Sequence, residues 1–398
     1  MLGLYGLIFA WLAQFVVAMW FAWRFPRDLG KPLSPESEPP VVVVTPVKGA
    51  GPDLPGFVAR LRSFSYSDYT VVAVVESEAD PAFAVLQEAA RGEGAPMSVL
   101  VAGLAETEGQ KNHNIRHAIA HLGPDPQIVA FVDADTLPQR DWLTRLVRPL
   151  VRDPDIAAVT GHRWIVPRGD DLPSAIVAAA NASLLTLPRL WSVCWGGTLA
   201  MRRETLEAID LRRGLSGAVV DDVLITLILH EHGLRVFTPK GLVVISPVEH
   251  SWASAFAFIR RQHMFVRFYL PGSWITALVM LTGPILAALA AAALAFTGDR
   301  LAIAVLAAAI GLGQLRVYLR ARIARRLWGL DGDALNARTR FAERWLAPVW
   351  ICFHAAAAWA AGWSRQIRWA GVVYEVRGRN ETRILSHGGR PSESGMTT

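Results

Sequence analysis

The sequence predicts an α/β fold with a mostly parallel, doubly wound sheet, plus N-terminal and C-terminal transmembrane helices. Three observations predict it. Short apolar runs alternate with helix-like segments from Val41 onward. Long uncharged apolar stretches stand at the start of the chain and again from Trp274. The 398 residues are 52% hydrophobic, with a mean hydropathy of +0.30, which is too apolar for an ordinary soluble enzyme.

Leu2 to Trp23 is uncharged and long enough to cross a bilayer, and Trp11, Trp20 and Trp23 supply interfacial anchors. It lacks a basic n-region and a small-residue cleavage site, so residues 1–24 read as a retained anchor rather than a signal peptide. Arg24, Arg27 and Lys31 follow directly, which places the next segment in the cytoplasm by the positive-inside rule. A linker over 25–40, rich in Pro, Ser and Glu near its end, leads into a domain spanning 41–255.

Within that domain Val41 to Thr45, Thr70 to Val75, Ser98 to Ala102 and Ile128 to Val132 read as strands. Helices are expected over Leu54 to Ser63, Pro81 to Arg91 and Gln110 to His121. Strict alternation of this kind gives parallel strands with helices on both faces. Ile156 to Gly161, Gly196 to Met201 and Leu234 to Thr238 continue as strands, with a helix from Asp221 to about His232. Ser174 to Trp195 is long and apolar, but Asn181, Ser183, Thr186 and Arg189 interrupt it, so it reads as an interfacial or core helix.

An interfacial amphipathic helix is expected over 256–272 and a membrane region over 273–364. Trp274 to Phe296 and Leu301 to Leu319 are spans, separated by a Gly298-Asp299 turn, and Trp345 to Trp363 is a third candidate. Arginines from Arg316 to Arg326 mark a basic cytosolic loop over 316–340, and 365–398 forms a C-terminal tail. A third full span would put Arg365, Arg368, Arg377 and Arg379 outside, so either that segment re-enters or the charge rule fails there.

Cys194 and Cys352 are the only cysteines and stand far apart, against a disulfide framework or a thiolate metal site. The net charge of +6 is dispersed around the membrane segments without a nucleic-acid motif. It fits an anionic membrane surface or a phosphate ligand better.

Asp133-Ala134-Asp135 carries the most chemistry. The pair ends a buried strand, at the sheet edge where open α/β folds bind ligands, and hard carboxylate oxygens suit Mg²⁺ or Mn²⁺ held jointly with a ligand's phosphates. A turn with solvated acids is the plain alternative. Glu76 after a strand and Asp221-Asp222 at a helix start converge on the same edge; the last pair could instead merely cap its helix. Lys111 and Asn114 open the helix before the Asp-x-Asp strand, where a cation and helix-end amides suit a diphosphate. The histidines show no zinc spacing, whereas Trp191 and Trp195 could stack on an acceptor.

Thr45-Pro-Val-Lys-Gly49, Asp80-Pro81, Lys111 with Asn114, Asp133-x-Asp135, Gly197-x-x-x-Met201-Arg202, Asp221-Asp222 and Ile367-x-Trp369-x-Gly371-x-x-Tyr374 come in an order that resembles the ceramide glucosyltransferases. These are membrane-bound, inverting GT-A glycosyltransferases of the broad family 2 type. The resemblance implies transfer of a hexose, glucose above all, from a UDP-sugar to a lipid hydroxyl such as that of ceramide. The protein is expected to be multi-pass, in a bacterial inner membrane, and the resemblance implies a catalytic domain on the cytoplasmic face.

By the same resemblance Asp222 is the general base. Glu76 lies near the uracil, although the family's first aspartate aligns closer to Ser77. Asp133 and Asp135 hold the metal, and Lys111, Asn114, Asp133, Asp221 and Gly197 bind the donor. The family's Arg/Gln-x-x-Arg-Trp motif has no full copy before the first trailing span. Arg260, Arg261 and His263 stand in its place and are expected to meet the donor, Arg260 or Arg261 through guanidinium contact with the diphosphate; a membrane-surface helix would use the arginines for headgroups instead. Competing readings are a polyprenyl-phosphate glycosyltransferase, a processive polysaccharide synthase and a degenerate membrane scaffold.

Overall fold

The computed structural model describes residues 2–29, 37–185, 192–328, 337–387 and 390–391. The chain divides into an α/β unit (Lys31–Arg163, Trp191–Ser246 and Ser364–Thr398) and a helical unit (Met1–Gly30, Trp164–Leu190 and Pro247–Trp363).

The strands are β1 (Val41–Pro46), β2 (Tyr69–Val75), β3 (Met97–Val101), β4 (Ile128–Val132), β5 (Ile156–Thr160), β6 (His162–Pro167), β7 (Thr198–Arg202), β8 (Arg235–Phe237) and β9 (Val243–Val248). Seven of them form one sheet in the order β3-β2-β1-β4-β7-β5-β8, while β6 and β9 pair separately. β7 alone runs against its neighbours β4 and β5. Four consecutive valines in β1 are all buried, as expected of a central strand covered on both faces. The predicted strands and the helices Leu54–Leu61, Pro81–Arg91, Gln110–Ala120 and Asp222–Glu231 appear within a residue or two of their expected ends.

The structure adds a helix over Trp142–Arg152, whose Trp142, Leu143, Leu146, Val147 and Leu150 are buried at helical spacing. It also changes the picture of the C-terminal segment. Residues expected as a tail form an antiparallel meander of β10 (Gln366–Trp369), β11 (Val372–Gly378), β12 (Glu381–His387) and β13 (Arg390–Pro391). Ala370 at φ 48° and Gly371 at φ 81° make the two-residue turn between β10 and β11, the conformation in which a tight hairpin matches strand twist.

Three side chains tie this meander to the helices that carry Lys111 and Asp222 and to the segment before Asp221. Tyr374 Oη accepts from the backbone N–H of Gln110 at 3.2 Å. Asn380 Nδ2 donates to Gly214 O and Ser216 O, each at 2.7 Å, and Arg379 pairs with the Glu231 carboxylate at 2.9 Å. Gly217 at φ 73° runs so close that a Cβ would lie 2.1 Å from Asn380 O. Asn380→Ala removes two hydrogen bonds, worth together about 1–2 kcal/mol. Amide exchange over 214–220 is therefore expected to accelerate by roughly 5–30-fold; unchanged exchange in a hydrogen–deuterium measurement would remove the meander from this role.

In the helical unit, three helices among the described residues are long and apolar enough to cross a membrane, within Leu2–Arg27, Pro271–Phe296 and Arg300–Trp328. Arg24 and Arg27 lie over the rings of Trp20 and Trp23, at 5.0 and 3.6 Å from the ring centroids. The third expected span, Trp345 to Trp363, is a helix over Ala347–Trp363 that meets the preceding helix Ala337–Trp345 at a bend of 86°, the geometry of a broken span or a re-entrant loop. The helix begun at Arg300 does not stop at Leu319 but runs to Trp328, because no breaker interrupts Val317 to Trp328. Arg316 and Arg320, read from sequence as the start of a loop, are buried in it. Arg316 donates to Glu343 O at 2.7 Å, and Arg320 pairs with the Glu343 carboxylate and donates to Ser183 Oγ at 2.9 Å.

Leu172–Leu185 is a core helix, with Ala175 to Ala180 buried against Trp350 and Val248 neighbours. The remainder of that expected helix, with Thr186, Arg189 and Trp191, lies largely outside the described residues. The amphipathic helix is Trp252–Tyr269, burying Ala255, Ile259, His263, Met264, Phe265 and Tyr269.

Candidate active site

Strand register builds the site. β4 and β7 pair with Val132 opposite Thr198, so the next step of the antiparallel ladder brings Gly197 beside Asp133. β1 and β2 pair in parallel with Pro46 beside Val74, and the same register carried two residues on sets Lys48 beside Glu76. Both pairs sit where the strands end, at the carboxyl edge of the sheet.

Lys111, in the first turn of the helix Gln110–Ala120, is the centre of charge. Its Nζ lies 2.7 Å from Asp133 Oδ1 and 2.9 Å from Asp221 Oδ2. A cation at a helix N-terminus opposes the helix dipole, so these carboxylates must compensate. Burial alone would lower the Lys111 pKa; the charges of Asp133, Asp221 and Asp222 outweigh it and hold the ammonium above the ordinary lysine value. A residue placed against its local electrostatic preference is the mark of a functional position.

Asp221 is buried and makes no side-chain cap on the helix that follows it. Asp222 Oδ1 accepts from the N–H of Val223 at 2.7 Å. Asp221 thus answers Lys111 rather than its own helix, while the Asp222 contact is a cap-type one to a first-turn N–H. Burial, followed by the charge of Asp221, pushes the Asp222 carboxyl well above its usual range, to about 7. That is where a proton acceptor works best at neutral pH.

Glycines line the carboxylates. A Cβ on Gly196 would lie 1.9 Å from Asp221 Oδ2 and 2.9 Å from Lys111 Nζ, and one on Gly197 would lie 2.9 Å from Asp133 Oδ2. The indole of Trp195 packs on Gly197, at 2.3 Å from that same Cβ position, and Trp195 N–H donates to Thr160 Oγ1 at 2.9 Å. Trp191 lies outside the described residues.

Asp135 is the open member, its side chain 57% exposed, and one of its oxygens accepts from Arg163 Nη2 at 2.7 Å. Glu76 takes both its carboxylate contacts from Lys48 Nζ, at 2.8 and 2.7 Å. Asn114 is buried; it accepts from Gln110 Nε2 at 2.9 Å and donates to Val74 O at 3.3 Å, joining its helix to β2.

The structure thus gathers Lys111, Asp133, Asp221, Asp222 and Gly197; Asp135 follows two residues after Asp133 and pairs with Arg163, and Glu76 stands at the end of β2, two strands from β4. Arg260, Arg261 and His263 belong to the helical unit. There Arg260 Nε donates to Ala360 O at 3.2 Å, the Arg261 guanidinium lies 5.5 Å from the Phe258 ring centroid, and His263 Nε2 is 2.8 Å from His354 Nε2. Sequence reasoning missed Gly196, Arg163 and Asn380. Gly196 stands beside Gly197, and the doubled glycine was the available signal. Arg163 and Asn380 had none, since their partners are remote in sequence.

Among solved structures the chain is similar to the mannosyltransferase PcManGT from Pyrobaculum calidifontis, in complex with GDP-Man and Mn²⁺: 23% identity over 82% of this chain and 99% of that one, TM-score 0.50. It is also similar to glucosyl-3-phosphoglycerate synthase from Mycobacterium tuberculosis in complex with Mn²⁺ and UDP-glucose, at 16% identity over 60% of this chain and 84% of that one, TM-score 0.39. No curated protein matches the sequence. The first likeness shows the fold, that of the GT-A glycosyltransferases. The family model for Glycosyl transferase family 21 matches residues 4–382, from the first helix through most of the C-terminal meander, and the chain belongs to that family.

Proposed function

We propose that this protein transfers a hexose, glucose above all, from a UDP-sugar to a lipid hydroxyl, ceramide or a similar long-chain alcohol, at the cytoplasmic face of a membrane and with inversion. One observation carries the reading: Lys111, Asp133, Asp221 and the base-like Asp222 converge at the carboxyl edge of the sheet, in a chain that also holds long apolar helices. A lipid acceptor accounts for having both.

The donor set suits a divalent cation, Mg²⁺ or Mn²⁺. Asp133 and Asp135 offer hard oxygens one residue apart, and the Asp135 side chain is open to solvent, where an ion and a diphosphate can reach it. Such an ion, shared with the diphosphate, would neutralise the charge that builds on the departing UDP.

Asp222 takes the proton of the acceptor hydroxyl as its oxygen bonds to the anomeric carbon and the bond from that carbon to the diphosphate oxygen breaks. Attack on the face opposite the leaving group gives inversion. Lys111 holds Asp133 and Asp221 close through its two ion pairs and offers the cation that meets the donor's diphosphate. Glu76, paired with Lys48, is assigned to the uracil of the donor. For Arg260, Arg261 and His263 the donor-binding role rests on the resemblance alone.

Mass spectrometry of membrane lipids from cells with and without the protein tests the reading. A hexosyl lipid present only with the protein is the expected result. An unchanged glycolipid profile, with no UDP released from any UDP-sugar by the purified protein, would favour a scaffold.

A further inference from the structure

The carboxylate pair after β4 does not stand alone; it is braced by a closed polar triangle. Arg163 Nη2 donates to Asp135 Oδ2 at 2.7 Å and to Ser246 Oγ at 2.7 Å, and Ser246 Oγ donates in turn to the main-chain oxygen of Asp135 at 2.8 Å. Ser246 is fully buried, and the Arg163 side chain is only 18% exposed. The turn is fastened further by Thr136 Oγ1 donating to Asp133 O at 2.7 Å and by Leu137 N–H donating to Ile245 O at 2.7 Å. Asp135 is thereby held by its backbone and by one carboxylate oxygen, while the rest of its side chain faces solvent.

From this we infer that Arg163, supported by Ser246, is a positioning residue for Asp135, fixing the carboxylate so that its other oxygen is presented to a divalent cation. The inference rests on the metal-diphosphate reading of Asp133 and Asp135. Groups that hydrogen-bond a ligating carboxylate fix its orientation, and losing one costs metal affinity. A guanidinium also repels a cation. The two effects oppose each other, so the sign of the change on removing Arg163 decides between an orienting and a merely opposing role. The orienting effect is expected to win, because the guanidinium charge is already shared with the Asp135 carboxylate and because Ser246 ties it to the backbone of the same residue.

The test is titration of the full-length protein with Mn²⁺ in the presence of UDP, followed by electron paramagnetic resonance of the free ion. Wild type, Arg163→Gln, Arg163→Lys and Ser246→Ala are compared, with thermal unfolding of each as a check on folding. Arg163→Gln should weaken Mn²⁺ binding by roughly 10- to 100-fold. Ser246→Ala should weaken it less but in the same direction, and Arg163→Lys should fall between wild type and Arg163→Gln. The concentration of Mn²⁺ giving half-maximal transfer should rise in parallel. Equal or tighter Mn²⁺ binding in the variants overturns the inference. Should Arg163→Gln fail to fold, Arg163→Lys and Ser246→Ala decide by the same criterion. Failure of the wild type to bind Mn²⁺ with UDP would instead overturn the metal-diphosphate reading itself.

Discussion

Asp222→Asn is expected to lower turnover by roughly 10²- to 10⁴-fold while UDP binding persists. The amide keeps the shape of the side chain and can still accept the hydrogen bond from Val223, but it cannot take a proton. Lys111, Asp133 and Asp221 keep their mutual contacts, so the donor's binding residues stay in place. The pH profile supplies a second signature. With the Asp222 carboxyl pushed up to about 7 by burial and by its neighbour's charge, the base is ionised above that value. It protonates below it, so kcat/KM should fall about tenfold per unit of pH on the acid side. Asp222→Asn should abolish this limb. Near-normal turnover of the variant, or a profile flat down to pH 5, would take Asp222 out of the mechanism.

Gly196→Ala should be comparably severe although it adds a single methyl group. The new Cβ would meet Asp221 Oδ2 at 1.9 Å and Lys111 Nζ at 2.9 Å, so the acid and the lysine must both move. Displacement of catalytic groups by about 1 Å can cost on the order of 100-fold in rate, and here the displaced groups neighbour the base. Transfer by the variant is expected to drop by about 100-fold or more, and because Gly196 is buried the overpacking should also cost about 1–3 kcal/mol of stability, so the comparison is made at a temperature where the variant stays folded. Transfer within a few-fold of wild type would show that the close approach of Gly196 to the acids does not matter for catalysis.

The alternation of apolar runs and amphipathic segments made the first four strands and their helices legible in the sequence, because each is a local pattern with its own period. The site residues on those elements were legible for the same reason: a strand end or a helix start fixes which edge they reach. Arg163 and Asn380 could not be seen this way. Arg163 matters through Asp135 and Ser246, and Asn380 through Gly214 and Ser216; those partners are joined by folding and not by spacing. The C-terminal meander was hidden by its charge, since exposed strands rich in Arg and Glu resemble a solvated tail. Arg316 and Arg320 misled in the opposite direction, because a count of apolar residues ends a span where arginines begin, although the helix continues and buries them against Glu343.

The proposed work of these acids is an inverting transfer of a sugar to a lipid. Purified protein in bilayer discs, given α-linked UDP-glucose, Mn²⁺ and ceramide, tests it most directly when the product is isolated and its anomeric linkage read by nuclear magnetic resonance. The expected product is a glucosyl lipid with a β-linkage, formed with one UDP released per lipid and absent with Asp222→Asn. An α-linked product, or UDP release without any glycosylated lipid, would contradict it.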